Sequence, residues 1–487
     1  MCLALATVVA AMASLNVALP DIARDTHASQ TQLSWIIDAY SLVFASLLLL
    51  SGAFGDRYGR RTALIAGLSI FGAGSAVAMF AGSAGELIAL RGILGLGASL
   101  VMPATLSTIT GTFPPERRTR AVSVWAAVAG GSAVLGLVTS GVLLEWFHWQ
   151  SVFGLNVVLA AIALAATLRF VPESADPGAP RIDLAGAAIS VVGLVALVYS
   201  IIEAPEQGWL GARTLLGFAV ALVAGVVFVL VELRKEHPLL DPRIFRHKTL
   251  AAGSISIFAQ FFAFFGFTFV ILQYLQLVRN DSPLVAAVSV LPMAATMMPT
   301  ARLAPFLVAK AGARIVCASG LALVATGLVV LAQLDASSPY PLMLAGLLIL
   351  GAGMGAAMTP ATAAITEALP LEQQGVGSAL NDLSREVGGA VGIAVVGSVL
   401  ASVYRSHLDL SGVASPVAER ARESIAMAEQ LGPRIAGHAE TAFVSGMHTA
   451  LICAAAAALA AAIGVATMLR PARRRSAARV ELAEPVA

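Results

Sequence analysis

The chain has 487 residues, 58% of them hydrophobic and only 12% charged, with a formal net charge of +2 and a mean hydropathy of +0.86. Soluble domains carry about 25% charged residues, so a chain this long and this poor in charge cannot cover a water-facing surface. A soluble multi-domain enzyme and a disordered scaffold are excluded, and so, for want of a basic field, is a nucleic-acid binder. A transmembrane helix needs about 20 mostly apolar residues. In chain order such runs fall at roughly 1–19, 33–53, 62–81, 87–110, 121–144, 152–171 and 184–203. They continue at roughly 212–233, 250–277, 284–305, 314–333, 341–366, 376–402 and 443–469. The sequence therefore predicts an all-α membrane protein with 14 spans. The first run lacks a basic leader and a small-residue cleavage site, so it reads as a span and not a signal peptide. Cys2, Cys317 and Cys453 lie far apart in apolar runs, which leaves neither a disulfide framework nor a zinc pattern.

Lys and Arg in short loops mark the cytoplasmic side of a membrane protein. Here Arg57, Arg60 and Arg61 follow span 2, and Arg117, Arg118 and Arg120 follow span 4. Arg169 and Arg181 flank the loop after span 6; Arg234, Lys235, Arg243, Arg246 and Lys248 follow span 8; Lys310 and Arg314 follow span 10. Arg470, Arg473, Arg474, Arg475 and Arg479 form a basic tail. All fall on one side of an alternating chain, which predicts that both termini are cytoplasmic. Trp35, Trp146, Trp149 and Trp209 fall at the opposite boundary, as an aromatic belt would place them.

A weak duplication organises the chain. Gly95-Leu96-Gly97-Ala98 is echoed by Gly353-Met354-Gly355-Ala356, and Met102-Pro103-Ala104-Thr105 by Thr359-Pro360-Ala361-Thr362. Phe113-Pro114-Pro115-Glu116 is echoed by Leu369-Pro370-Leu371-Glu372, and Gly130-Gly131 by Gly388-Gly389. The offset is about 250 residues, so the repeat unit is six helices. The expected domains are residues 1–172 and 246–470 as six-helix bundles, and 173–245 as two inserted helices with their cytoplasmic loops. Residues 471–487 form the tail, and a long outer loop spans about 404–442. Two parallel six-helix halves around a central site is a transporter architecture.

Ionisable residues inside spans are costly and are functional candidates. In span 13, Asp382 and Glu386 are four residues apart and share a face. Arg385 can pair with Asp382, leaving Glu386 as a carboxylate able to gain or lose a proton. A structural network at the cytoplasmic mouth is the competing reading. Asp38 in span 2 and Arg91 in span 4 lie at similar depth and are expected to pair. A solvated Asp38 and an Arg91 that snorkels to the interface stay open as alternatives. Span 9 is polar and aromatic through Gln260, Phe261, Phe265, Gln273 and Tyr274. That suits a cavity for amphipathic ligands, to which Asn381 would contribute, and it suits helix packing equally. No zinc-protease, Walker or serine-elbow pattern is present, so the chain is expected to need no cofactor or metal and not to be an enzyme.

The loop Gly52-Ala53-Phe54-Gly55-Asp56-Arg57-Tyr58-Gly59-Arg60-Arg61 resembles the loop signature of the major facilitator superfamily. Leu87–Gly97, with Arg91, resembles that superfamily's span-4 motif. Together with Asn16-Val17-Ala18-Leu19-Pro20, Trp35–Tyr40, Gln273–Gln276, Gly377–Asp382 and 14 spans, the chain is similar to drug:proton antiporters of EmrB/QacA type. The resemblance implies the major facilitator fold and a gating loop formed by Gly52, Asp56, Arg57, Gly59, Arg60 and Arg61. It implies proton-coupled export of lipophilic or cationic small molecules from the bacterial inner membrane, hence antibiotic resistance, with protons, substrate and the lipid bilayer as partners; a monomer is the expected unit, and the sequence itself does not give the oligomeric state. It also implies a span-5 bend, here at Gly136 and Gly141. Two positions depart from the family pattern. Ala11 stands where an Asp is usual in span 1, and Leu137 follows Gly136 where a proline is usual. These departures keep two alternatives open: an exporter of an endogenous lipid or metabolite with weak or no proton coupling, and a ligand-binding membrane protein that does not transport.

Overall fold

The computed structural model describes residues 1–175, 182–236, 238–369 and 374–469. The expected positions Arg181 and Pro370–Glu372, the side chains of Glu116 and Arg118, and the basic tail from Arg470 lie outside the described residues. The helices are α1 (Cys2–Thr26), α2 (Gln30–Tyr58), α3 (Arg60–Ala78), α4 (Ala84–Thr112), α5 (Pro115–Trp146) and α6 (Gln150–Phe170). Then come α7 (Leu184–Gln207), α8 (Ala212–Glu232), α9 (Lys248–Gln273), α10 (Pro283–Ser289), α11 (Pro292–Ala311), α12 (Ala313–Leu331) and α13 (Tyr340–Thr366). The last are α14 (Gln374–His407), α15 (Ser415–Glu423), α16 (Ile425–Glu429) and α17 (Pro433–Met468). A π-helical segment, Tyr274–Val278, extends α9. Among the described residues, fourteen spans are long and apolar enough to cross a membrane, α10 and α11 together making one of them.

Local chemistry sets the boundaries. Ser29 and Gln32 close a reciprocal capping box at the start of α2, which satisfies backbone donors that have no helical partner. Ser83 and Asp183 cap α4 and α7 in the same sense. The turns after α2 and α11 need a backbone that L side chains rarely adopt: Gly59 has φ 116° and Gly312 has φ 85°. Glycine has no Cβ to clash there, and these two residues hold equivalent places in the two halves.

The duplication is visible in the packing. The pairs α2–α4, α3–α4, α1–α5, α3–α6 and α1–α6 recur as α11–α13, α12–α13, α9–α14, α12–α17 and α9–α17. Glycine crossing points recur as well. A Cβ at Gly67 would lie 2.7 Å from the Gly97 carbonyl, and one at Gly320 would lie 2.9 Å from the Gly353 carbonyl. Gly95 presses on the Tyr40 carbonyl as Gly351 presses on that of Met293, and Gly136 on Ala10 as Gly392 on Phe262. These pairs fix the repeat register: Gly95 corresponds to Gly351 and Gly97 to Gly353. The match of Gly95 to Gly353 read from the sequence was therefore two residues off, because it aligned glycines by type when the backbone contact is what repeats. Gly130 and Gly131 face open space, whereas Gly388 and Gly389 press on Phe258 and Phe265. Their echo was of letters only.

The near end of the molecule carries Met1 and the turns after α2, α4 and α6. The far end carries the turn between α1 and α2 and the segment from Leu408 to Gly432. The two halves meet toward the far end through α2 against α14 and α5 against α10, a pair of contacts related by the repeat. Far-end bonds cross between the halves from Arg24 to Glu429 at 3.2 Å, from Gln276 to the Val17 carbonyl at 2.9 Å, and from Ser282 to Glu145. The halves are thus closed on one another at the far end. In the outer loop, Ile425–Ala428 are buried and α16 packs on α17 and α1, so the loop caps this end.

The inserted helices are unequal. Helix α8 is exposed along most of its length and packs on α7. Helix α7 lies across the seam between the halves, touching both α2 and α14. Trp35 donates to Glu203 at 2.8 Å on the α2 side. On the α14 side Ser398 donates to the Ile201 carbonyl, Arg405 pairs with Glu206 at 2.9 Å, and Trp209 donates to Ser402 at 3.2 Å. At the near end the hairpin is clasped by Lys235, which meets Asp183 at 2.5 Å and Glu232 at 2.8 Å.

Trp149 departs from the aromatic-belt expectation. It is 2% exposed and donates to Asp25 at 2.9 Å, because α1 and α6 pack over its ring. Trp146, 72% exposed, is free to sit at an interface.

Candidate functional site

The charged cluster of α14 faces the other half. Arg385 Nε donates to Glu386 Oε1 at 3.2 Å, and Arg385 Nη2 lies 3.8 Å from Asp382 Oδ1. The guanidinium is thus shared between both carboxylates and sits closer to Glu386. Glu386 is 2% exposed, and its Oε2 has no hydrogen-bond partner. Arg385 Nη2 also reaches Met102 Sδ in the opposite half at 3.7 Å, and its guanidinium lies 5.6 Å from the Phe261 ring centroid. Asn381 accepts from Thr362 at 3.1 Å, which ties the start of this cluster to α13. Gly388 and Gly392 let α9 approach closely, so Phe265 can pack on Gly389 beside the charges. One cation serving two carboxylates leaves a buried negative charge only partly compensated, an arrangement sensitive to protonation.

Asp38 and Arg91 do not pair as expected. Arg91, 1% exposed, donates from Nε to the Ile36 carbonyl at 2.9 Å and lies 4.3 Å from the Tyr40 ring centroid. Asp38 is fully buried with neither carboxylate oxygen hydrogen-bonded. The geometry of α2 accounts for this. Tyr40 is two positions from Asp38, about 200° around the helix, so a guanidinium laid on the Tyr40 ring is turned from the Asp38 carboxylate. The burial also removes both alternatives, since Asp38 is not solvated and Arg91 does not snorkel. The two charges lie on the packed helices α2 and α4, more than an ion-pair distance apart.

The span-9 candidates divide. Phe261 and Phe265 border the charged cluster. Gln260 and Gln273 are fully buried, bonded to Ser256 and to the Phe269 carbonyl, and each keeps an unpartnered Oε1. Tyr274 is not cavity lining. Its hydroxyl donates to the Asp335 carbonyl at 2.6 Å in the loop before α13, so it struts the far end. Gln276, which carries the bond to Val17, lies two residues beyond it in a π-helical turn that no periodicity announces.

The gating segment is one helix end, one glycine and one helix start. Gly52 lies within α2, beside Pro103. Asp56 pairs with Arg60 at 2.8 Å, Arg61 donates to the Leu168 carbonyl at 2.9 Å, and Arg57 lies 5.8 Å from the Tyr58 ring centroid. The sequence missed Glu173, whose carboxylate accepts from the Arg61 backbone at 3.1 Å and from the Thr62 hydroxyl at 2.9 Å. A carboxylate at a helix N-terminus is favourable. This one fastens the turn to the loop after α6, and the only signal was an acidic residue just past the end of that span. The bend positions are crossing points: α5 runs unbroken past Gly136, which meets Ala10, and Gly141, which meets Leu284.

Two repeated bundles closed at one end, with charges buried where they face each other, define a multi-pass membrane transporter. The chain belongs to the Major Facilitator Superfamily, whose family model matches residues 1–393. It is 34% identical to the methyl viologen resistance protein SmvA of Salmonella typhimurium over 95% of each chain. It is also 34% identical to the multidrug efflux pump LfrA of Mycolicibacterium smegmatis, over 93% of this chain and 92% of that one. Among solved structures, a bacterial homologue of the human lysosomal transporter Spinster, crystallised inward-facing and occupied, superposes with a TM-score of 0.66 at 16% identity, over 96% of this chain and 95% of that one.

Proposed function

We propose that the protein exports lipophilic or cationic drugs from the bacterial cytoplasm in exchange for protons, by alternating access in the inner membrane. The observation that carries this reading is the α14 cluster, in which Arg385 is shared by two carboxylates and Glu386 keeps one buried oxygen without a partner. A group so placed changes its proton affinity when the halves part and water enters. Asp38, buried without a bonded partner, is the second coupling carboxylate and Arg91 its distant counter-charge. Coupling needs only that proton and substrate favour different states. Phe261, Phe265 and Gln260 line the substrate path beside the cluster. The names of the relatives support the substrate class, SmvA through resistance to the dication methyl viologen and LfrA through multidrug efflux. The arginines of the near-end turns support a cytoplasmic near end, which makes the closed far end external.

The test is reconstitution in proteoliposomes with a trapped pH indicator. Methyl viologen should elicit proton flux, and the D38N/D382N/E386Q triple variant should abolish it. Flux surviving in that variant overturns the coupling scheme. Ala11, apolar and buried where the family carries a span-1 Asp, favours the second reading, lipid or metabolite export without coupling. That reading requires substrate movement with no proton flux in the wild-type chain.

A further inference from the structure

At the far end a cavity of about 510 Å3 lies apart from the central charges. Its walls come from three parts of the chain: His27 and Thr31 from the first half, Glu203 and Glu206 from α7, and Arg405 and Glu423 from α14 and α15. A volume of this size is that of a small-molecule pocket, within about 300–1,000 Å3. With His27 neutral, three carboxylates and one guanidinium leave a formal charge of −2. Glu206 is the carboxylate that Arg405 neutralises, at 2.9 Å. Glu203 is held by uncharged donors, Trp35 Nε1 at 2.8 Å and Gln207 Nε2 at 3.2 Å, so its position is fixed while its charge stays uncompensated. Glu423 has no ion-pair partner among the described residues. Thr31 is 5% exposed, and its hydroxyl has no hydrogen-bond partner. A hydroxyl left idle in the wall is available to bond a ligand. No three His, Cys, Asp or Glu among the described residues are grouped closely enough to hold a metal ion, so the charge is spread for a larger cation.

We propose that this cavity is a second, peripheral binding site for an organic dication, with Glu203 and Glu423 as its two counter-charges and Thr31 at its wall. The site goes beyond the transport reading and stands whether or not the chain moves protons. Because its walls belong to both halves and to the insertion, it is complete only while the far end is closed. By linkage, a dication bound there favours that closure.

Equilibrium dialysis of the purified full-length protein against methyl viologen tests the proposal. Wild type should show two saturable classes of site. E203Q and E423Q should each weaken one class at least tenfold, and the double variant should remove it. Glutamine at 203 can still accept from Trp35, and size-exclusion profiles confirm that the variants fold. D38N/E386Q should keep the class that E203Q/E423Q removes. A single class untouched by E203Q/E423Q, two classes both lost in D38N/E386Q, or displacement of the peripheral class by millimolar Mg2+ would each overturn it. Failure of the transport reading shows separately, as absent flux in a chain that still has the Glu203-dependent class.

Discussion

Removal of the Arg91 guanidinium gives a test whose size follows from its surroundings. The group makes one charge-assisted bond to the Ile36 carbonyl and one ring contact with Tyr40. It is also the cation nearest in charge balance to Asp38, whose two oxygens have no hydrogen-bond partner. The bond is worth about 1.5–3 kcal/mol and the ring contact about 1–2 kcal/mol. No Asp38–Arg91 pair comes within 4.0 Å, so at an effective dielectric of about 20 their attraction is below about 4 kcal/mol. Stripping the cation from a buried carboxylate costs about 3–5 kcal/mol. R91M should therefore be strongly destabilised. D38N, which replaces a buried carboxyl without a hydrogen bond by a neutral amide, should unfold at or above the wild-type temperature. If Asp38 feels Arg91 through space, R91M should cost about 2 kcal/mol less in the D38N background, a coupling within the range of double-mutant cycles. The assay is size-exclusion chromatography of the detergent-solubilised chain after heating. The decisive comparison is between the double variant and R91M. If D38N/R91M melts with or below R91M alone, Arg91 acts only through Ile36 and Tyr40 and the electrostatic argument is wrong.

Other consequences can be checked independently. A Cβ built at Gly397 lies 3.6 Å from Ser34 Cβ, close to the spacing of about 3.8 Å in disulfides. S34C/G397C should oxidise, lock the far end closed and stop transport until reduced; transport by the oxidised protein would refute closure at this seam. Gly351→Val drives a side chain into the Met293 carbonyl, whereas Gly464 faces open space. The first should abolish folded protein and Gly464→Ala should not, read as monodisperse yield. Glu173→Ala should remove the two bonds that start α3 and speed hydrogen exchange at Arg61 and its neighbours; unchanged exchange there would refute the anchoring role. In the hairpin clasp, burial opposes ionisation of Asp183, yet its bond with Lys235 holds its pKa below the ordinary value, and burial likewise opposes the Lys235 charge, yet its two carboxylates raise its pKa. The Asp183 contribution is complete above about pH 4 and fades as pH falls through the lowered value, while that of Lys235 is complete below about pH 10 and fades as pH rises through the raised one. K235M should thus destabilise equally at pH 6 and pH 8, and a penalty that vanishes between them would refute this pairing.

The span count, the doubling and the buried charges were legible because each follows from composition along one helix. Hydropathy places α2 and α14 in the membrane, and Asp38 and Glu386 stand out there as expensive residues. What the charges touch was not legible. Arg91 chose a backbone carbonyl and a ring over the nearest acid, and one-dimensional depth cannot tell these apart. Tyr274 and Gln276 sit two residues apart, but a π-helical turn sends one to a loop and the other to the opposite half, where a regular α-helical count would misplace both. Glu173 was invisible because its partners lie more than a hundred residues earlier.

Helix α7 is bonded to both sides of the seam, but unequally. Opening the far end must part α2 from α14, and α7 can stay with only one of them. Two polar links run from α7 to α14 and a third from Trp209 in the turn after it, while one, from Trp35, runs to α2. Apolar packing of α7 on the two sides is comparable, so if the polar links decide which side lets go, the insertion travels with the second bundle. The moving bodies would then be of unequal mass, a bare bundle of six helices swinging against one of eight. The indole hydrogen bond between Trp35 and Glu203 would then be the polar clasp on the lighter side.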